Sequence, residues 1–151
     1  MALQDDIDKL ARIPLFEALG TEALRLIAFA AEARILRAGD VLFRRGDRAD
    51  GGYVVISGAL ALEVDDTGGP APHIAQAGEL VGELALLTPI ERPVTALARE
   101  PTTVLRVPRP LFHRVLKEYP EAASRLQHMM QERVEGFARE LDEMRQRALE
   151  D

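Results

Sequence analysis

The 151-residue sequence contains no cysteine and no tryptophan, only three histidines, and 5% aromatic residues. Without cysteine there is no disulfide framework, no thiol nucleophile and no cysteine-based zinc or iron–sulfur site. His73, His113 and His128 share no i, i+4 pairing and no strand spacing, so no metal is expected. Ser57 and Ser124 belong to no recognisable nucleophile–base–acid set, and no enzymatic activity is expected. No run approaches the roughly 18 apolar residues of a membrane span. Residues 1–10 carry Asp5, Asp6 and Asp8 and no apolar block, unlike a secretory signal. Basic residues are also in deficit: 19 Lys and Arg against 25 Asp and Glu leave a net charge of −6, the wrong sign for gripping nucleic acid phosphates. These absences point to a cytoplasmic acidic protein with neither membrane nor nucleic acid as partner.

What is present divides into three zones. Residues 3–33 carry helical periodicity, with Leu24, Ile27, Ala28 and Ala31 at i, i+3, i+4 and i+7 behind a Thr21 cap. Pro14 and Gly20 divide this zone into two or three short helices. Residues 34–107 change to short apolar runs, such as Val41-Leu42-Phe43, Tyr53-Val54-Val55-Ile56, Leu60-Ala61-Leu62 and Val104-Leu105-Arg106-Val107, set between glycine-bearing turns. That spacing predicts an antiparallel barrel or jelly roll, with a loose hairpin tip at residues 68–72. The third zone is helical. Residues 108–118 form a short helix that Pro120 stops, and a long helix follows over residues 121–149. Along it Leu126, Met130, Val134, Phe137, Leu141, Met144 and Ala148 step by threes and fours, the spacing of a helix–helix seam. The long helix would extend roughly 43 Å, more than a barrel of this size covers, so its distal half is expected to pack against a second copy. The domain reading is residues 1–120 as helices plus β-roll, and 121–151 as a dimerisation helix.

The segment from Gly78 to Thr95 carries the chemistry. Gly82-Glu83-Leu84-Ala85-Leu86 forms a short apolar turn ahead of Arg92. Unpaired N–H groups at the start of such a turn can cradle an anion, and Gly82 lets the backbone approach a ligand closely. Glu83 can accept hydrogen bonds from ribose hydroxyls, and Arg92 offers a planar fork suited to phosphate. Residue chemistry alone leaves open an ordinary Glu83–Arg92 ion pair.

This segment resembles the phosphate-binding cassette of the cyclic-nucleotide-binding domain family, in the form found in Crp–Fnr type regulators. The resemblance extends through Ile13-Pro14-Leu15-Phe16, through the glycine-punctuated runs 38–47 and 53–58, and into the long helix at Arg125-Leu126 and Arg133-Val134. It implies a mainly β fold with flanking α: an eight-stranded antiparallel jelly-roll barrel with N-terminal helices and a long C-terminal helix. It implies cAMP or cGMP as ligand, with no other cofactor, held by Gly82, Glu83, Leu84, Ala85, Arg92, Pro93 and Val94. In that set Glu83 takes the ribose 2′-hydroxyl and Arg92 the cyclic phosphate, while Gly82, Leu84 and Ala85 supply backbone contacts. Arg133, Phe137 and Arg139 are the candidates for contacting the base. One position departs from the family pattern. The small residue that usually follows the arginine and donates its N–H to the phosphate is here Pro93, which has none.

Residues 121–151 hold eight acidic and five basic residues and no recognition helix for DNA. The expected function is a non-catalytic cyclic-nucleotide sensor, homodimeric through its C-terminal helix. Two alternatives stand beside it: a degenerate module of the same fold that dimerises without ligand, and the sensor half of a truncated transcription regulator.

Overall fold

The computed structural model describes residues 2–64 and 73–150. Three helices come first: α1 (Ala2–Ala11), α2 (Pro14–Glu17) and α3 (Thr21–Ala30). Pro14 occupies the first turn of α2, where its missing N–H costs nothing. The N-cap of α3 is Gly20 rather than Thr21, and no side chain caps it. The glycine leaves the preceding turn with φ +87°, and Arg125 Nε and Nη2 each donate at 2.8 Å to the carbonyls of Ala18 and Leu19.

Ten strands follow: β1 (Glu32–Leu36), β2 (Val41–Phe43), β3 (Arg48–Ala49), β4 (Gly51–Ser57), β5 (Ala59–Glu63), β6 (His73–Gln76), β7 (Leu80–Val81), β8 (Ile90–Glu91), β9 (Thr95–Ala98) and β10 (Thr102–Pro108). They pair antiparallel into two four-stranded sheets, β1-β10-β4-β7 and β2-β9-β5-β6, with a separate ribbon of β3 and β8. Eight strands thus lie in two facing antiparallel sheets with flanking helices and a long C-terminal helix, as expected, while the described strands form no continuous hydrogen-bonded ring that would close a barrel. The expected hairpin tip at 68–72 lies outside the described residues.

Strand alternation builds two cores. On β4 and β10, Tyr53, Val55 and Val104 face Phe43, Leu60, Ala75, Ala96 and Ala98 of the opposite sheet. Val54, Leu105 and Val107 turn the other way, into a layer formed by α1, α2, α3 and α5 (Arg109–Glu118). Phe16 and Phe112, both fully buried, meet there with ring centroids 6.2 Å apart.

Between β7 and β8 lies the five-residue helix α4 (Glu83–Leu87). The last helix, α6 (Pro120–Glu150), is one unbroken element of 31 residues. Its first turns pack through Ala122, Leu126, Met129 and Met130, and beyond them Val134, Phe137, Leu141 and Met144 are exposed. Among the described residues no helix is long and apolar enough to cross a membrane.

Candidate functional site

Strand β7 ends at Val81, and the chain turns into α4 through Gly82, whose φ of +85° and ψ of 37° lie in the left-handed region. A side chain there would be strained, and its Cβ would also fall 2.5 Å from Arg92 Nη1. Gly82 therefore serves both the turn and the close approach of a guanidinium.

Arg92 sits between β8 and β9. Its backbone N–H donates to Asp47 O and its carbonyl accepts from Gly46 N–H, both at 2.8 Å, which directs the side chain inward. There it is only 4% exposed. Nη2 donates to the Gly51 carbonyl at 2.8 Å, and the guanidinium lies 4.2 Å from the Phe43 ring centroid and 5.5 Å from that of Tyr53. Nη1 is buried and has no hydrogen-bond partner. Among the described residues no carboxylate lies within ion-pair distance of Arg92. Burial pulls its pKa below the ordinary arginine value, against the opposing fields of Tyr53, Asp50 and Asp47. Burying a cation with an idle donor is costly. An anion seated against Nη1 would offset that cost.

The expected site residues do not all converge. Gly82, Glu83, Leu84, Arg92, Pro93 and Val94 line one cavity of about 310 Å³, within the size range of small-molecule pockets. Ala85 does not: its side chain is fully buried in the core, and its N–H already donates to Gly82 O at 3.1 Å. Glu83 pairs with Arg133 rather than Arg92, its Oε1 standing 2.6 Å from Nη1 of the α6 arginine. Thus one candidate base contact, Arg133, reaches the cassette. Phe137 and Arg139 are exposed on α6 and do not line the cavity.

Phe43, Leu62, Leu80, Val81 and Ile90 complete the walls and were not among the expected residues. Their only sequence signal was an inward position on short strands, which any core residue shares. A larger groove of about 500 Å³ beside Thr21, Tyr119 and Arg125 contains no buried polar atom lacking a partner, so it presents no comparable demand for a ligand. Among the described residues no three His, Asp or Glu side chains are grouped to hold a metal.

The site is thus a two-sheet β-roll with a short helix after a left-handed glycine and a buried arginine facing an apolar cavity. The chain belongs to the cyclic nucleotide-binding domain family, whose model matches residues 33–119. A cyclic nucleotide-binding-like protein of Brucella abortus is 39% identical with a TM-score of 0.68, over 75% of this chain and 98% of that one. The N-terminal domain of a transcriptional regulator from Streptomyces coelicolor is 29% identical with a TM-score of 0.81, over 89% and 95%. Lysophospholipase nte1 of Aspergillus fumigatus is 32% identical over 110 residues, 72% of this chain but 7% of that protein. The chain spans under a tenth of the length of such curated relatives.

Proposed function

We propose that this chain is a non-catalytic sensor module that binds a 3′,5′-cyclic purine nucleotide, cAMP or cGMP, and passes the event to α6. The observation that carries the reading is the buried Arg92, whose Nη1 lacks a partner at the wall of an apolar cavity. A cyclic phosphate is singly charged and compact, and it presents acceptor oxygens to such a fork. Phe43, Leu62 and Val94 would cover the apolar faces of sugar and base. Glu83 would accept the ribose hydroxyl, and doing so competes with its pairing to Arg133. Ligand thereby changes the hold of the cassette on α6, which is a basis for differential affinity between two helix positions.

In this reading residues 1–120 form the sensing unit and 121–151 the helix through which two copies associate. The module works in the cytoplasm without nucleic acid or membrane. Pro93 supports a second reading, a dimeric module of this fold that has lost its ligand. The missing N–H weakens phosphate binding by about 1.5–3 kcal/mol, or roughly ten- to a hundredfold.

Thermal unfolding with about 1 mM cAMP, cGMP or AMP separates the two. A ligand at a thousandfold excess over its dissociation constant adds about 4 kcal/mol, a rise of several degrees. A rise with one cyclic nucleotide but not AMP supports the sensor, and no rise with either supports the ligand-free module.

A further inference from the structure

Helix α4 carries Glu83 and adjoins Gly82; Ala85 and Leu86 bury its inner face in the core, but its two ends are not held by its own sequence. Five residues are too few for a self-sustaining helix, and its N-cap offers no side-chain hydrogen bond. Its C-terminal carbonyls would be left without intrahelical partners. The structure fills that gap with a residue far along the chain. Arg109, half-buried at the first position of α5, directs Nη1 to the carbonyls of Ala85 at 3.0 Å, Thr88 at 3.3 Å and Ala49 at 3.0 Å. Its backbone N–H donates to Asp50 O at 2.7 Å. A cation at the C-terminal end of α4 also complements the helix dipole. The adjacent Gly51 carbonyl is the acceptor for Arg92 Nη2. One arginine therefore joins the start of α5, the end of the cassette helix and the 49–51 turn on which Arg92 rests.

We propose that Arg109 is a positioning residue for the ligand site: it clamps α4 by its C-terminal carbonyls, so that Gly82, Glu83 and the anchor of Arg92 keep their relative positions. It touches no ligand itself. A lysine keeps the charge and can still donate to a carbonyl, whereas a glutamine keeps neither the charge nor the reach.

The test compares Arg109→Gln and Arg109→Lys in the full 151-residue chain by amide hydrogen exchange, without ligand. In Arg109→Gln, exchange over residues 83–88 rises about tenfold while β10 exchanges as in the wild type, and Arg109→Lys returns most of the protection. Unchanged exchange over 83–88 overturns the proposal, and so does a uniform rise through both sheets, which would mark Arg109 as a general stabiliser. A second arm rests on the cyclic-nucleotide reading: affinity for the cyclic nucleotide that stabilises the wild type falls about tenfold in Arg109→Gln and recovers in Arg109→Lys. If the wild type is stabilised by neither nucleotide, that reading fails while the exchange result still decides the clamp.

Discussion

The Glu83 carboxylate and the Arg133 guanidinium meet at 2.6 Å, joining the cassette helix to a helix that begins 37 residues after Glu83. The two side chains are 39% and 44% exposed, so the pair adds only about 0.2–1 kcal/mol. That small value is compatible with the exchange of partners that the proposed function requires. A pair worth several kcal/mol would hold Glu83 against any incoming hydroxyl. Arg133→Gln is expected to shift the unfolding midpoint by less than about 4 °C, yet to abolish the ligand-induced change in amide exchange over residues 130–137. Persistence of that change in the variant would show that another contact carries the signal.

Arg92 is buried at a cost to folding, which the proposed function assigns to binding. Its buried Nη1 has no partner, so an apolar residue of similar length removes an unmet donor and a desolvated charge. Arg92→Met is expected to leave the ligand-free midpoint unchanged or higher, since replacing buried charge by well-packed apolar atoms is often neutral or stabilising. The same variant should lose all stabilisation by cyclic nucleotide. A ligand-free midpoint several degrees lower would mean that the Gly51 bond and the Phe43 stack outweigh the burial cost.

Pro93 is exposed in the bend between β8 and β9, at the wall of the cavity. Pro93→Ala restores an N–H beside the Arg92 side chain without disturbing the core. Cyclic-nucleotide affinity by calorimetric titration is expected to rise about tenfold or more, with little change in ligand-free stability. Equal affinities for the two proteins would place the phosphate away from this N–H.

Much of this arrangement was legible in the sequence, for local reasons. Apolar runs of three or four residues marked β2, β4, β5 and β10, because each run is long enough to show its pattern. Strands β3, β7 and β8 have two residues each and therefore no period to read. Gly82, Glu83 and Arg92 were legible because the cassette is contiguous. The partners that give them meaning were not. Glu83 and Arg133 are 50 positions apart, and Arg109 meets Ala85 across 24. Pairings of that kind depend on how helices pack on a sheet, which no local window contains. The motif places Ala85 in the cassette, but only the fold shows that its N–H donates to Gly82 O within the turn.

Gly82→Ala tests the cassette turn itself. The substitution carries a side chain into a φ of +85° and a Cβ to 2.5 Å from Arg92 Nη1. The backbone penalty alone is about 1–2 kcal/mol, a loss of a few degrees in midpoint. Because the guanidinium must also move, ligand stabilisation is expected to vanish. An alanine variant that binds as the wild type does would show that Arg92 has another productive position.

The distal half of α6 exposes Val134, Phe137, Leu141 and Met144 by 49–68% each, at spacings of three and four residues. One such residue on a surface is unremarkable, but four on a single stripe are costly to leave in water. In the proposed reading a second copy of the same helix would cover the stripe by the geometry of a two-helix seam. Sedimentation of the wild type is expected to give a dimer at micromolar concentration. Phe137→Glu combined with Leu141→Glu puts like charges into the seam and should give a monomer. The unfolding midpoint of the two sheets, measured at a β4 or β10 probe, should change little, because neither residue touches the core. A monomeric wild type would assign the stripe to a different partner, and a midpoint that falls with the double substitution would mean that α6 also supports the β-roll.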